Sequence, residues 1–496
     1  MKTSAILSKK PHWLLLSALP VAILFGIDEA VESQYERIDN TCDCYSDSSY
    51  ITEITFNKNV PGDLLSFNNQ SQADCFAWQE FISLNWPVNS SSGFGTPNDM
   101  SFVQWETYMP REVLFPNDGS KPPAWGTLVS DEYSEQFKSQ KLVMRKSQTK
   151  LLTFTSKIDD DDPDVNFSPN QAAPQDKPNW LGAQNGTNVW YEIMLNKDYY
   201  DFIVQNGYYN AKAQHDAVKS GKAINFPQGV YNGATGAIEL KAAWMEVDNP
   251  KSAKWARYKL SQATVMDPDT KKLRTTTVAL VGLHILHKTQ NQPTWVWATF
   301  EHIDNVPDST NQNPVYGYNF YNAKCQNRNV TVKTASGDST AVVTCIPNTP
   351  PPYYLEQADP VPTQTTRINA IDKTDAAPIN SLMQDNIKKF YPNSVWQYYQ
   401  LVDVIWSQSF QQDPKVPVQA PRNINVSSMA SGTPIVANTT MESYVQSTST
   451  CYSCHKYSTI APYPLDSINN NVFADFSFAI GFAKYSTADS KKKIKK

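Results

Sequence analysis

Five consecutive residues close to the C-terminus constrain this chain more than any other feature, the pentapeptide Cys451-Tyr452-Ser453-Cys454-His455. The C-x-x-C-H spacing is the signature of c-type haem attachment. On one turn of chain, two thiols add to the two vinyl groups of a porphyrin, and the adjacent histidine then lies under the iron as its proximal ligand. The sequence therefore predicts one covalent haem c on Cys451 and Cys454, with His455 as the proximal iron ligand.

Two other interpretations of the pentapeptide remain open at this point. A C-x-x-C pair also forms an ordinary disulfide, and it also supplies half of a zinc site. Zinc needs a fourth ligand, normally from a second Cys or His pair at a matching spacing, and the sequence offers none. A redox-active C-x-x-C is expected at the start of a helix in a βαβ context, which this position lacks. Haem attachment is the preferred interpretation.

The composition indicates a folded protein without affinity for nucleic acid. Of the 496 residues, 40% are hydrophobic and 12% aromatic, which is far too much for a disordered chain. The net charge is −5, whereas a nucleic-acid-binding protein shows a basic stripe. No internal run of 18 or more apolar residues occurs, so we expect no membrane span beyond the N-terminal segment. The partners expected for such a chain are redox proteins, whose identity the sequence does not give.

The N-terminus has the pattern of a secretory signal peptide. Lys2, Lys9 and Lys10 precede an apolar run, residues 13–27, which ends before two acidic residues. A basic stretch followed by an apolar stretch of this length is typical of export, so residues 1–27 are predicted to be a signal peptide. No clean A-x-A cleavage site follows, and an uncleaved anchor is the alternative. The predicted location is periplasmic or secreted.

The other five cysteines agree with an oxidising compartment. Cys325 and Cys345 flank a polar stretch rich in Thr and Val, which predicts a hairpin closed by a disulfide. Cys75 is expected to pair with Cys42 or Cys44, and the sequence does not decide between them. These cysteines are interpreted as structural.

Hydrophobic periodicity predicts an α+β fold: a large, mixed, strand-containing body with peripheral helices and a small, mainly helical C-terminal segment for haem attachment. The body is assigned to residues 28–430, the attachment segment to 431–485 and a disordered Lys-rich tail to 486–496. Residues 188–205 are expected to form a strand that leads into a helix. Further strands are expected at 238–247, 275–288 and 295–302, and the last two are expected to form a hairpin. Helices are expected at 74–86, 379–391 and 395–407, and after the capping box Thr439-x-x-Glu442.

The second axial ligand of the iron must come from upstream of the pentapeptide. The 41 residues that follow His455 contain neither Met nor His. The candidates are two methionines and a cluster of three histidines on the predicted hairpin, Met429, Met441, His284, His287 and His302. Each also has an ordinary structural interpretation, as a core methionine or a hydrogen-bonded histidine.

Two further expectations concern the walls of the site. His284 and His287 are three residues apart on a strand, so they point to opposite faces and at most one of them faces the haem. The apolar and aromatic segment at residues 475–482 is expected to line the site, although ordinary core packing would explain it almost as well.

Several of these stretches together resemble exported bacterial proteins of the cytochrome c family, also described as cytochrome c domain-containing proteins. The resemblance spans much of the chain after the signal segment. It implies a large protein with one haem outside the cytosol, and it implies no particular reaction. It is carried by Phe81-Ile82-x-Leu84-Asn85-Trp86-Pro87, Lys241-Ala242-Ala243-Trp244, residues 281–289, residues 293–305, Asn438-Thr439-Thr440-Met441-Glu442, the pentapeptide itself and Asp475-Phe476-Ser477-Phe478.

Three functions fit these features. The first and preferred one is electron transfer by a haem that cycles between Fe(II) and Fe(III), although a carrier needs only about a hundred residues. The second is a haem-dependent oxidoreductase, such as a peroxidase or oxygenase, with an open distal site. There one of the three hairpin histidines, together with Glu301, would serve as acid and base. The third is a haem-containing sensor or binding protein.

Overall fold

A computed structural model describes most of the chain between residues 55 and 485. The described ranges are 55–89, 91–126, 149–152, 181–266, 273–312, 317–334, 337–350, 361–371, 373, 375–427, 435–447, 450–464 and 472–485. The predicted signal peptide, Cys42, Cys44, Met429 and the predicted tail lie outside them.

The described residues form one nine-stranded sheet and a separate two-stranded ribbon. The order in the large sheet is β1-β3-β4-β6-β7-β10-β11, and β2 and β5 extend it beside β6. Neighbours are antiparallel except for β2 and β5. The strands are β1 (Met109–Pro110), β2 (Thr149–Leu152), β3 (Val189–Leu195), β4 (Ile238–Glu246), β5 (Leu260–Met266), β6 (Leu273–His287), β7 (Val296–His302), β8 (Arg328–Thr334), β9 (Gly337–Val343), β10 (Tyr399–Ser407) and β11 (Val426–Ser427).

Helices are few and peripheral, so the predicted α+β class is confirmed. The longest two have 15 residues each, and the first of them begins where Asn69 caps it by accepting the N–H of Gln72 at 2.9 Å. The α-helices among the described residues are α1 (Gln70–Leu84), α2 (Arg111–Leu114), α3 (Lys197–Asn206), α4 (Ala211–Lys219), α5 (Ala376–Phe390) and α6 (Cys451–His455).

Strand β6 is the centre of the sheet. One of its edges pairs with β4 from residue 278 to 287. Its other edge pairs first with β5, over residues 273–279, and then with β7, over residues 282–287. The predicted hairpin of two strands at 275–288 and 295–302 is thereby confirmed. The turn-forming residues Gln290-Asn291-Gln292-Pro293, which separate the two stretches, explain why the sequence revealed it.

The two faces of the sheet are covered differently. The face we call the helical face is packed by α1 and α5, where Phe81 stacks on Phe300 with ring centroids 4.3 Å apart. The face we call the motif face is packed by α3, α4 and residues 450–464 and 472–485, and by residues 435–447, which extend from this apolar cluster to a second one that contains Met441. Within those C-terminal ranges, helix is limited to α6 and the 3₁₀ turn Ala479–Phe482, which is less than the sequence suggested.

The predicted helix at residues 395–407 is wrong. This stretch is the 3₁₀ turn Val395–Tyr398 followed by strand β10, which lies between β7 and β11. Both faces of the strand are buried, so apolar residues occur consecutively, as in Leu401-Val402 and in Val404-Ile405-Trp406. A short apolar run of this kind does not distinguish a buried strand from a buried helix.

The predicted helix after Thr439-x-x-Glu442 is also wrong. Residues 439–447 form successive turns. The hydroxyl of Thr439 donates to Oε2 of Glu301 on the sheet at 2.8 Å, and the Glu442 carboxylate accepts the N–H of Asn438 at 2.8 Å. The reciprocal contacts of a capping box are therefore absent, because the sheet competes for the threonine.

The disulfide prediction is confirmed for Cys325 and Cys345, which join with their Cα atoms 5.8 Å apart and bracket the ribbon formed by β8 and β9. Cys75 is disulfide-bonded as well. None of the helices in the described ranges has the length and hydropathy needed to cross a lipid bilayer.

Candidate functional site

Helix α6 is a single turn that presents the residues of the pentapeptide in two directions. Cys451, Cys454 and His455 are spaced by three and four residues, so they share one side of the turn, and all three are partly exposed. Both cysteines are thiols, so the disulfide interpretation of the pair is not adopted here. Tyr452 lies on the other side and is buried. Cys451, Cys454 and His455 are thus partly accessible, whereas Tyr452 packs against the protein.

Tyr452 fastens the turn to the motif face. Its hydroxyl donates to the carbonyl of Arg422 at 2.7 Å and accepts the N–H of Ile424 at 2.7 Å. Its ring lies near the rings of Trp297 and Phe476, at centroid distances of 6.4 and 6.3 Å. Both hydrogen-bonding capacities of the phenol are used, which holds α6 in one orientation.

The ring of His455 is oriented by a backbone carbonyl. Its Nδ1 lies 2.7 Å from the oxygen of Phe476. Because a carbonyl only accepts, Nδ1 carries the proton, and Nε2 is the nitrogen with a lone pair for a metal. An Nδ1–H bond to a carbonyl is the usual way in which proteins set the tautomer and orientation of a ligating histidine.

The carbonyl that contacts His455 belongs to a strained turn. Asp475 and Phe476 have φ values of 49° and 65°, in the left-handed region that bulky residues avoid. The turn is held from several sides. The indole N–H of Trp295 donates to the carbonyl of Asp475 at 2.8 Å, and the N–H of Phe226 donates to its carboxylate at 2.8 Å.

A buried group of charges surrounds the Asp475 carboxylate. The fully buried ammonium of Lys288 contacts it and also donates to Asp413 at 2.9 Å. Nη1 of Arg422 lies 3.5 Å from Asp475, and its guanidinium lies over the ring of Phe476, 4.9 Å from the centroid. Burial raises the pKa of Asp475 to about 6, and the neighbouring ammonium limits that rise.

Ser477, on the other side of Phe476, is anchored to the sheet in a similar way. The hydroxyl of Ser477 donates to the buried carboxylate of Glu239 on β4 at 2.7 Å and lies 2.7 Å from the hydroxyl of Tyr199 on α3. Burial raises the pKa of Glu239 above its ordinary value. The backbone on both sides of the Phe476 carbonyl is therefore tied to the sheet through a carboxylate.

Of the three hairpin histidines, only His284 lies on the motif face. It pairs across the strands with Thr299, next to the pair formed by Leu286 and Trp297. Its Nε2 lies 3.3 Å from Oε1 of Glu442. The same face carries α6, so His284 is the one of the three histidines that shares a face of the sheet with the pentapeptide.

His287 points to the helical face, which confirms that it and His284 face opposite ways. Its two ring nitrogens contact the Glu80 carboxylate and the carbonyl of Thr235, the latter at 2.5 Å. Burial alone would lower the pKa of His287, but the carboxylate and the two hydrogen bonds together raise it. Burial also raises the pKa of Glu80, and with both of its nitrogens in contact with these two oxygens the ring of His287 is held in a structural pair.

His302 is also buried in a structural setting away from α6. Its ring stacks on Tyr258 at a centroid distance of 3.7 Å, and its Nε2–H donates to the carbonyl of Arg257 at 3.0 Å. Burial lowers the pKa of His302 to about 4, so the ring is neutral at pH 7.

The remaining candidates also have structural contacts. Met441 is fully buried in an apolar cluster with Tyr191 and Val281, a different cluster from the one that contains Cys451 and Tyr452. Glu301 is paired with the buried guanidinium of Arg367 and accepts two hydrogen bonds from Thr439.

Sequence analysis missed several residues around α6. Lys288, Asp413 and Arg422 hold the strained turn, and His215 on α4 contacts the carbonyl of Ala461 at 2.9 Å. No local pattern marks them, because each acts on a partner far away in the chain. Within the segment at 475–482, Phe476 and Phe478 contact His455, while Phe476, Ala479 and Ile480 are also packed in the apolar cluster of the motif face.

The donor set fits a porphyrin better than a bare metal ion. No group of three or more His, Cys, Asp or Glu side chains suited to a metal ion occurs in the described ranges. A haem requires less, because the porphyrin supplies four nitrogen ligands and the protein adds two thiols and one imidazole. Comparison of the chain with protein-family models, with curated proteins and with solved structures gives no significant match.

Proposed function

We propose that this protein is an exported c-type cytochrome with one haem, bound through thioether bonds to Cys451 and Cys454. His455 is then the proximal ligand and binds iron through Nε2. The observation that carries the proposal is the geometry of α6, in which two thiols and an imidazole share one partly exposed side while the Nδ1–H of His455 is held by the Phe476 carbonyl.

Electron transfer is the reaction we assign to this site. The haem supplies the Fe(II)/Fe(III) couple, and the chain supplies the axial imidazole, the aromatic surroundings and the link to the sheet. Partial exposure of Cys451, Cys454 and His455 suits a redox centre that meets partner proteins at its edge. The disulfides and the sequence pattern of residues 1–27 support a periplasmic or secreted location. The resemblance to the cytochrome c family points the same way.

The proposal is tested by expressing the protein with its first 27 residues in a bacterial host that matures c-type cytochromes. The wild-type protein is expected to retain haem after acid-acetone extraction and to show a Soret band. Cys451→Ala and Cys454→Ala are each expected to lose haem that resists extraction. A Cys325→Ser/Cys345→Ser double variant is the matched control and is expected to keep it. Wild-type protein without covalent haem in this host would refute the proposal.

A haem-dependent oxidoreductase is the second candidate, because His284 lies on the motif face with the Glu442 carboxylate beside it. A histidine with a carboxylate partner is suited to proton transfer at a distal site. The ferrous spectrum with and without CO separates the two functions. A low-spin spectrum that CO leaves unchanged means two axial ligands and favours electron transfer, whereas a high-spin spectrum that CO shifts favours the oxidoreductase.

A further inference from the structure

The carbonyl that orients His455 belongs to a turn that charged side chains hold in place. The carbonyl of Phe476 accepts from Nδ1 of His455. Phe476 and the residue before it, Asp475, both have backbone conformations in the left-handed region. A backbone of this kind persists only where its surroundings determine it. The surroundings of Asp475 are the side chains of Lys288 and Arg422 and the N–H groups of Phe226 and Trp295. The charged side chains therefore help to fix the position of the Phe476 carbonyl oxygen.

Lys288 is a rigid point of attachment. It follows β6 directly, its N–H donates to the carbonyl of Ala237 at 3.0 Å, and its carbonyl accepts the N–H of Gly229 at 2.8 Å. Its side chain is fully buried. The ammonium therefore has little freedom, and the carboxylate of Asp475 is brought to it rather than the reverse.

Arg422 links the two halves of the site. Its carbonyl accepts from the hydroxyl of Tyr452, which anchors the cysteine turn. Its guanidinium covers the ring of Phe476 and reaches the Asp475 carboxylate. A displacement of this residue would change the distance between His455 and the carbonyl that orients it.

We propose that Lys288, Asp475 and Arg422 are positioning residues for the proximal ligand: they hold the Phe476 carbonyl against Nδ1 of His455 and thereby set the donor strength of its imidazole. This inference rests on the proposed function. A strong Nδ1–H bond gives the ring partial imidazolate character, which stabilises the ferric state and lowers the reduction potential. Loosening the turn weakens that bond and raises the potential.

The test is the midpoint potential of the purified, haem-loaded protein, measured by spectroelectrochemical titration. In Asp475→Asn the ion pair is lost, while asparagine still tolerates the left-handed backbone. In Lys288→Met the ammonium is lost and the length of the side chain is kept. Positioning predicts a higher potential in both variants, equivalent to roughly tenfold in the equilibrium constant for reduction. In Lys288→Arg the potential is expected to return toward the wild-type value.

The sign of the Lys288→Met shift separates positioning from simple electrostatics. Removing a nearby positive charge disfavours the electron-rich ferrous state, so a through-space effect alone leaves the potential lower or unchanged. Arg422→Gln, at the more exposed edge of the group, is the milder variant and is also expected to raise the potential, by a smaller amount. Glu80→Gln removes a buried carboxylate on the helical face and is expected to leave the potential unchanged.

A lower or unchanged potential in both Lys288→Met and Arg422→Gln would overturn the inference. So would an equal rise in Glu80→Gln, because the shift would then reflect general destabilisation. Neither result affects the proposed function, which depends on whether the wild-type protein holds covalent haem at all.

Discussion

The two faces of the large sheet are covered by different means. On the helical face, α1 and α5 satisfy their own backbone groups and contribute aromatic and aliphatic side chains, such as Phe81 and Trp78 against Phe300. On the motif face, stretches without regular structure rely on the sheet for hydrogen bonds, through Glu239, Glu301 and Lys288. Both faces bury apolar side chains and polar contacts, but on the motif face it is stretches without regular structure that depend on individual polar side chains for their position.

The largest expected effect is a loss of packing on the helical face. Phe81→Ala removes a fully buried ring and is expected to lower the free energy of unfolding by about 3–5 kcal/mol, measured by chemical denaturation. The absorption spectrum of the haem-loaded protein should not change under conditions where the variant is folded. A changed spectrum in the folded variant would contradict the separation of the two faces.

On the motif face, Glu301→Gln tests the polar attachment of residues 438–442. The change removes the nearer of the two carboxylates of the buried Arg367 guanidinium, leaving Asp308 at 3.7 Å, and it weakens the contacts with Thr439. A loss of about 3 kcal/mol in the free energy of unfolding is expected. Glu80→Gln is the matched variant on the helical face. Faster proteolysis near residues 438–447 is expected in Glu301→Gln alone, and equal proteolysis in both would argue against specific attachment.

The helical face also carries a pH dependence. The pKa of His302 is about 4 in the folded protein, against an ordinary value of 6.5. Between these values the unfolded chain binds more protons, so the free energy of unfolding rises as the pH rises from 4 to 6.5, by up to about 3 kcal/mol. His302→Gln is expected to remove this contribution, and denaturation curves across that pH range measure it. An unchanged slope in the variant would show that another group titrates.

The smallest effects compare two buried hydroxyl groups. Ser477→Ala on the motif face and Ser83→Ala on α1 each remove one side-chain donor, to Glu239 and to the carbonyl of Asn59 respectively. Each is expected to lower the free energy of unfolding by about 1 kcal/mol. Only Ser477→Ala is expected to alter the haem absorption spectrum as well, since it neighbours the Phe476 carbonyl. Equal spectral shifts in both variants would contradict the specific link between the motif face and the haem site.

The sequence predicted the parts of the fold in which local pattern and final structure agree. The hairpin of β6 and β7 follows from two strand-like stretches separated by the turn-forming residues 290–293, and the opposite orientations of His284 and His287 follow from strand geometry. Strand β10 was not predicted because the apolar residues Val395, Tyr398, Val402 and Ile405 also have the spacing of one helix face, and no turn signal separates them. The helix predicted from the capping box does not form, because the hydroxyl of Thr439 donates to Glu301, which is far away in the chain.

The candidate site shows the same division. Its covalent positions are visible in five residues, because the chemistry requires that spacing. The group that holds its orientation is not, since Lys288 and Asp475 are separated by 187 residues and meet only when β6 and residues 472–485 come together. The motif indicates which side chains would bind the haem, and only the folded structure reveals the residues that hold those side chains in position.

The pairing of β6 along both edges has a consequence for amide hydrogen exchange. Backbone amides between residues 282 and 287 lie between β4 and β7, so they open only when the whole sheet separates. These amides are expected to exchange at the rate of global unfolding, more slowly than those of the turns at 439–447. Lys288 follows directly on this most persistent stretch of backbone. Subglobal fluctuations that free the C-terminal turns therefore leave the anchoring ammonium in place, ready for the same contact when the turns return.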